Sequence, residues 1–283
     1  MTTLIDGKQA AAELREAISE EVATLRADGV EPTLATVTVG ADPASQVYLR
    51  SIHRTAEKVG LRAIRAELDD RASQDEVEAL IQQLNADEGV HGILLHVPLP
   101  DQMDERAVVA QIDPRKDVDG VTAANAGALW TGGDALVPST PLGALLLLQR
   151  HFPEGMSGKR AVIVGRSNIV GKPMAALLLA ENCTVTIAHS RTKDLPILCR
   201  SAEILVVAVG RANMVKGDWV SEDAVVIDVG INSIEVEGNH TLVGDVDFDD
   251  VAPHVAAITP VPGGVGPMTI AALLRNTVAA AKR

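Results

Sequence analysis

Residues 161–180 read AVIVGRSNIVGKPMAALLLA: an apolar strand, a turn bounded by Gly165 and Gly171, and a helix with Pro173 in its first turn. A turn at a helix N-terminus offers free N–H groups and the positive end of the helix dipole, which suits phosphate. The string is not a Walker A loop. Five residues separate Gly165 from Gly171-Lys172, and Pro173 stands where a magnesium-binding hydroxyl is needed. It also departs from GxGxxG, since Ser167 takes the place of the middle glycine. A tight strand-to-helix connection without a ligand would read the same way; strand, turn and helix in this order favour a dinucleotide. The next strand, Thr184–Ala188, ends in His189-Ser190-Arg191-Thr192, not in the Asp or Glu that would take a free ribose 2′-hydroxyl. A hydroxyl and a guanidinium there fit a 2′-phosphate, with Arg191 and Arg166 as charged partners, so NADP is expected over NAD. The alternative is a solvated loop arginine.

Outward from this stretch, short apolar runs alternate with helical ones. Leu34–Val39, Ala63–Leu68 and Gly92–Val97 read as strands in the first half, separated by helices at Ala10–Ala27, Pro43–Val59 and Gln74–Asn85. In the second half the strand candidates are Ala161–Val164, Thr184–Ala188, Ile204–Val209, Val225–Val229 and Ala256–Ile258. Continuous apolar strands bounded by turn residues are those of buried parallel sheets, and their alternation with helices predicts an α/β fold, twice over. Asp113–Ser139, rich in Asp, Gly, Asn and Pro, reads as loop, and Leu142–Arg150 as helix. The nucleotide domain is placed at 141–260. The other domain is 1–140 plus 261–283, the helical tail Thr269–Ala281 returning to pack on it.

Composition narrows the function classes. Among 283 residues, 47% are apolar and 22% charged, which excludes disorder, collagen and coiled coil. Aromatics are 2%, so the core is aliphatic and Tyr48 is the lone tyrosine. Lys and Arg number 25 against 38 Asp and Glu, a net charge of −13 that argues against a nucleic-acid partner. No apolar run approaches the ~18 residues of a membrane span. The opening MTTLIDGKQAAAEL does not read as a secretory leader. Cys183 and Cys199 form neither CxxC nor a metal spacing, so no metal is expected. These features describe a soluble, cytoplasmic protein.

In the first half, Asp42 reads as an N-cap, Pro43 as the first helical residue and Gly60 as the stop. Tyr48 and Ile52 share a face of that helix with Ala56 and Val59, the pattern of a core stripe. His96 stands at the carboxyl end of GILLHVPLP, where ligands of parallel sheets bind, although a histidine there is as readily structural. Asp117 and Asp119, in PRKDVDG, read by default as solvated turn acids.

Taken together and in order, ASQVYLRS, GILLHVPLP, KDVDG, GRSNIVGKPMAALLL, HSRT and TPVPGGVGPMTIAALLRNT resemble the bifunctional methylenetetrahydrofolate dehydrogenase/methenyltetrahydrofolate cyclohydrolase family, end to end. The resemblance implies an N-terminal folate domain completed by the C-terminal helix, a Rossmann-type NADP domain, an active cleft between them, and a homodimer. It implies that Tyr48 lines the folate site and that the Asp119 carboxylate takes paired hydrogen bonds from the pterin ring. Pro262, Gly263 and Gly264 correspond to a folate-side loop whose glycines allow close approach. Gly165, Arg166, Ser167, Gly171, Ser190 and Arg191 carry over as cofactor contacts. Ser139, where the family commonly has Cys, reads as neutral.

Two positions depart from the family pattern. A lysine stands four residues after the tyrosine in that pattern, and here the residue is Ile52, followed by His53 and Arg54, which face elsewhere. A glutamine is replaced by His96. Hydride transfer from 5,10-methylenetetrahydrofolate to NADP needs no protein base, because a folate nitrogen stabilises the resulting cation; positioning does most of the work. Hydrolysis of the methenyl product to 10-formyltetrahydrofolate requires water addition and proton shuttling, which suit a lysine and not an isoleucine. The sequence therefore predicts a dehydrogenase whose cyclohydrolase activity is lost or strongly reduced; His96, of a residue type with an ordinary pKa near 6.5, is a candidate to take over proton transfer. The alternatives are a conventional bifunctional enzyme with a rearranged water network, and a non-catalytic folate or nucleotide binder.

Overall fold

A computed structural model of the protein describes residues 2–40, 43–236 and 238–283. The expected N-cap Asp42 lies outside them. Its chain divides into two compact units, one comprising residues 1–12 and 140–269, the other 13–139 and 270–283.

In the first unit, strands run in the spatial order Thr3–Leu4, Ala257–Ile258, Val225–Asp228, Ile204–Val207, Arg160–Val164, Thr184–Ala188, each parallel to its neighbour. The interior strands Ile204–Val207 and Val225–Asp228 are buried at every position, as continuous apolar runs require, whereas the edge strand Thr184–Ala188 is largely accessible. A core of Val162, Val164, Leu205, Val207, Val226 and Ile258 binds the strands to the helices on one face. The helix expected after the glycine-bounded turn spans Gly171–Ala180, and an antiparallel hairpin pairs Asn232–Val236 with Asn239–Val243.

The second unit is built on a parallel sheet in the order Arg62–Leu68, Thr33–Val39, Gly92–Leu95, extended by a bridge between Ile93 and Asp117. Helices Pro43–Lys58 and Gln74–Ala86 connect its strands. Ser73 and Glu76 form a reciprocal capping box at the start of the latter, which fixes where that helix begins. One sheet face packs Leu34 and Leu94 against Ile18, Ile52 and Leu273; the other packs Ala35, Val37 and Ile93 against Val77 and Ile81. The expected return of the C-terminal helix, Val265–Ala281, holds for its second half. Asn276 Nδ2 donates to Val118 O at 2.8 Å and Val137 O at 2.7 Å. Gly92 admits the Thr277 hydroxyl where a Cβ would stand 3.2 Å from it.

Several sequence expectations change. The first dozen residues pack with the unit that contains residues 140–269 and not, as expected, with the one that contains residues 13–139, because Thr3–Leu4 pairs with Ala257–Ile258. The crossing back occurs after Thr269 and not at residue 261. The stretch Asp113–Ser139 contains a helix, Ala123–Thr131, with Thr122 as N-cap and left-handed Gly132 at its end. The strand expected over Gly92–Val97 stops at Leu95, leaving His96 just past its carboxyl end.

Candidate functional site

The helix Pro43–Lys58 presents Tyr48, partly buried, at the margin of the aliphatic core that contains Leu49, Ile52 and Ala56. Strand Gly92–Leu95 delivers His96, whose N–H donates to Val37 O at 2.8 Å. The His96 and Tyr48 rings lie 6.3 Å apart between centroids, tilted by 40°. Asp119 completes the group: burial, and then the Asp119 charge, raise the Tyr48 hydroxyl well above its ordinary pKa. Burial in turn pushes Asp119 up to about 6, although a hydrogen bond from Ser139 Oγ at 2.7 Å holds its carboxylate down. Neither acid of the KDVDG loop is a solvated turn residue. Asp117 is fully buried and ties the loop to the next helix, accepting from Val121 N, Thr122 N and Asn125 Nδ2. Its distance from water makes it a structural anchor; Asp119 is the one placed beside Tyr48. Ser139, read as neutral from sequence, is instead the direct partner of Asp119.

Ile52 is 0% exposed and belongs to the aliphatic core. Tyr48, His96 and Asp119 are therefore brought together, while position 52, one helical turn from Tyr48, contributes packing alone. Its neighbour His53 is occupied elsewhere. Arg65 Nε donates to His53 Nδ1 at 2.7 Å, which leaves Nε2 to carry the proton and donate to Thr36 Oγ1, also at 2.7 Å. Burial and the Arg65 charge lower the His53 pKa, so the ring is held neutral.

In the other unit, the turn after Arg160–Val164 is built on two glycines that tolerate no side chain. Gly165 has φ 131° and packs on the Ala208 carbonyl; a Cβ on Gly171 would strike the Gly165 carbonyl. Ser167 Oγ accepts from the N–H groups of Val170 and Gly171 at 3.1 and 3.3 Å, so it shapes the helix N-terminus from within. Beside the turn is a cavity of about 540 Å³. Gly165, Arg166 and Ser190 line it, with Leu195, Val209 and Met214 as an apolar wall. Arg191 is exposed, its N–H donating to His189 Nδ1 at 3.1 Å, and its side chain does not line the cavity. Arg211 and Trp219 do line it, and sequence reasoning missed both. The volume, the apolar wall and the arginine-and-hydroxyl rim fit an adenine nucleotide with a phosphorylated ribose.

Pro262, Gly263 and Gly264 line a second cavity in the same unit, about 160 Å³, together with Asp228, Gly230 and Lys8. Gly263 has φ 112°; a Cβ on Gly7 would strike the Gly264 carbonyl, and one on Gly264 would strike the Pro260 carbonyl and Thr259, so neither accepts a larger residue. Burial pushes Asp228 up to about 7 against the N–H groups of Val246, Asp245 and Gly230, which hold it down. Its position at the end of an apolar strand run was the available sequence signal. Among the described residues, no group of three or more His, Cys, Asp or Glu is arranged to hold a metal ion, and no helix is long and apolar enough to cross a membrane.

Residues 5–119 match the model of the tetrahydrofolate dehydrogenase/cyclohydrolase catalytic domain, and residues 138–283 that of the tetrahydrofolate dehydrogenase/cyclohydrolase NAD(P)-binding domain. The chain is 57% identical over 282 residues to bifunctional protein FolD 2 of Paracoccus denitrificans, covering 99% of this chain and 93% of that protein. Among solved structures, a bifunctional FolD from Campylobacter jejuni superimposes with a TM-score of 0.96 at 44% identity, covering 100% and 99% of the two chains. FolD of Trypanosoma brucei, complexed with NADP cofactor and inhibitor, gives 0.93 at 38% identity, covering 100% and 98%.

Proposed function

Because the chain belongs to the tetrahydrofolate dehydrogenase/cyclohydrolase family, we propose that it oxidises 5,10-methylenetetrahydrofolate to 5,10-methenyltetrahydrofolate with NADP, and that its hydrolysis of the methenyl product is lost or strongly reduced. When bound, NADP supplies the hydride acceptor. Gly165 and Gly171 let the backbone approach its phosphates, and Arg166 and Ser190 on the cavity wall favour a 2′-phosphate, whereas Arg191, expected from sequence to do the same, lies outside that lining. Asp119, once ionised, accepts the paired N–H groups of the pterin, and Ser139 orients it. Tyr48, kept in its phenol form by burial, packs beside the ring. Pro262, Gly263 and Gly264 form the folate-side loop, whose two glycines leave its backbone open to close approach. None of these roles moves a proton, and hydride transfer needs none.

Hydrolysis does. The observation that carries the second half of the proposal is the aliphatic burial of Ile52 at the position one helical turn from Tyr48. His53 is bound to Thr36 and Arg65 and supplies no substitute. Loss of a positioned acid/base group costs roughly 10²–10⁴ in rate. The test follows NADPH and methenyl product separately from methylenetetrahydrofolate and NADP+, then adds methenyltetrahydrofolate directly. Rapid, stoichiometric conversion of the latter to the 10-formyl compound would overturn the single-step reading.

A second reading retains both reactions. The similar proteins named bifunctional favour it, as does the presence of an imidazole, His96, with its ring centroid 6.3 Å from that of Tyr48, since histidine is a common general acid or base. In that case a His96→Gln variant loses hydrolysis while hydride transfer continues. Binding of both ligands with no NADPH formed would instead identify a non-catalytic binder. A homodimer, proposed from the family pattern, is tested by light scattering.

A further inference from the structure

Three consecutive backbone N–H groups converge on one carboxylate in the nucleotide unit. Val209 and Gly210 donate to Asp245 Oδ2 at 2.6 and 2.9 Å, and Arg211 donates to Oδ1 at 2.8 Å. Asn232 Nδ2 also donates to Oδ1, at 2.9 Å. Asp245 is 0% exposed, and its own N–H donates to Asp228 Oδ1 at 3.0 Å. Successive N–H groups curved around an acceptor make an anion-binding concavity. Here the chain fills that concavity with its own side chain, so the turn is fixed and not offered to a ligand.

What the turn offers is Arg211. Its side chain is exposed and lines the nucleotide cavity together with Arg166 and Ser190. Among the described residues its guanidinium has no hydrogen-bond or ion-pair partner, whereas Arg160 and Arg200 of the same unit are both engaged with neighbouring backbone or side chains. A guanidinium at the mouth of a cavity suited to a nucleotide, on a backbone held by three hydrogen bonds to one carboxylate, is preorganised for a phosphate.

We infer that Arg211 is a further nucleotide-binding residue, pairing with a phosphate of the dinucleotide, and that Asp245 is the positioning residue that sets it. The inference rests on the reading of this cavity as the NADP site. The phosphate is either the 2′-phosphate or the pyrophosphate, and the two are separable by experiment.

Trp219 lines the same cavity, and Trp130 is the other tryptophan of the chain, so a Trp130→Phe background leaves one fluorophore reporting on the site. Titration of that protein with NADP+, NAD+ and adenosine gives three dissociation constants independent of turnover. Arg211→Met is expected to weaken NADP+ about tenfold, flatten the salt dependence of its binding, and leave adenosine unchanged. A larger loss for NADP+ than for NAD+ assigns the 2′-phosphate; equal losses assign the pyrophosphate. Asp245→Asn is expected to give the same phosphate-selective loss, with no further loss in the double variant. Wild-type NADP+ affinity in Arg211→Met, or an equal loss for adenosine, overturns the inference. Absence of NADP+ binding by the unmodified protein overturns the cofactor reading itself. Should Asp245→Asn fail to fold, the surface variant Arg211→Met still decides.

Discussion

Ser139 Oγ donates a 2.7 Å hydrogen bond to Asp119 Oδ1, across twenty residues of sequence and within one unit of the fold. This bond favours the carboxylate against a burial that pushes Asp119 up to about 6. An aspartate ready to receive the pterin N–H groups must be ionised, so folate binding should weaken as pH falls through about 6. Ser139→Ala removes the donor, and the acid limb of the kcat/KM profile for methylenetetrahydrofolate should move to higher pH. A profile unchanged in Ser139→Ala would show that the bond does not govern the titration.

The same burial makes Asp119 a liability to the fold. Its folded pKa lies above the ordinary carboxylate value, so the folded state binds the proton more tightly than the unfolded state. Stability from this group is therefore lost as pH rises from about 4 through about 6. Asp119→Asn should raise Tm at pH 8 and leave it little changed near pH 4, while folate binding falls. Thermal unfolding at the two pH values, with folate titrations alongside, checks the opposing signs.

Ile52→Lys is the decisive substitution for the chemistry. A lysine at a fully buried position surrounded by aliphatic side chains pays a desolvation cost, so Tm should fall by several degrees. If position 52 is where the hydrolytic ammonium is missing, methenyltetrahydrofolate hydrolysis should rise by ~10²-fold or more. Ile52→Met, similar in volume, should change stability by less than about 1.5 kcal/mol and leave hydrolysis at the wild-type rate.

His53→Leu separates packing from catalysis. Removing the imidazole leaves Thr36 Oγ1 and Arg65 Nε without their buried partner, at a cost of about 1–3 kcal/mol in denaturant unfolding. The pH dependence of hydride transfer should be unaltered. Because the folded-state pKa of His53 is lowered, its contribution to stability is present above the unfolded value near 6.5 and is lost as pH falls below it.

The parts legible in the sequence were those whose cause is local. The strand, glycine turn and helix at 160–180 are set by short-range sterics and apolar runs, and the core stripe Ile52, Ala56, Val59 by helical spacing. Thr3–Leu4 is a strand only because Ala257–Ile258 lies beside it, and two residues carry no periodicity of their own. Asp117 reads as a turn acid until Thr122 and Asn125 are folded over it. Ser139 and Arg211 gain meaning from Asp119 and Asp245, partners that only the fold supplies. The helix Ala123–Thr131 was read as loop: Thr122 and Gly132 are ordinary start and stop residues, but the polar composition around it concealed them.

The pairing of Thr3–Leu4 with Ala257–Ile258 has a consequence for synthesis. On a ribosome, Thr3–Leu4 is made some 250 residues before its neighbouring strand exists, while most of the other unit is made in between. That inserted unit likewise waits, for the closing segment from Ile270 onward. A fragment cut at residue 140 should thus give two incomplete halves, one with an unfilled sheet edge and one with an uncovered apolar floor, and each should aggregate where the uncut chain stays dispersed.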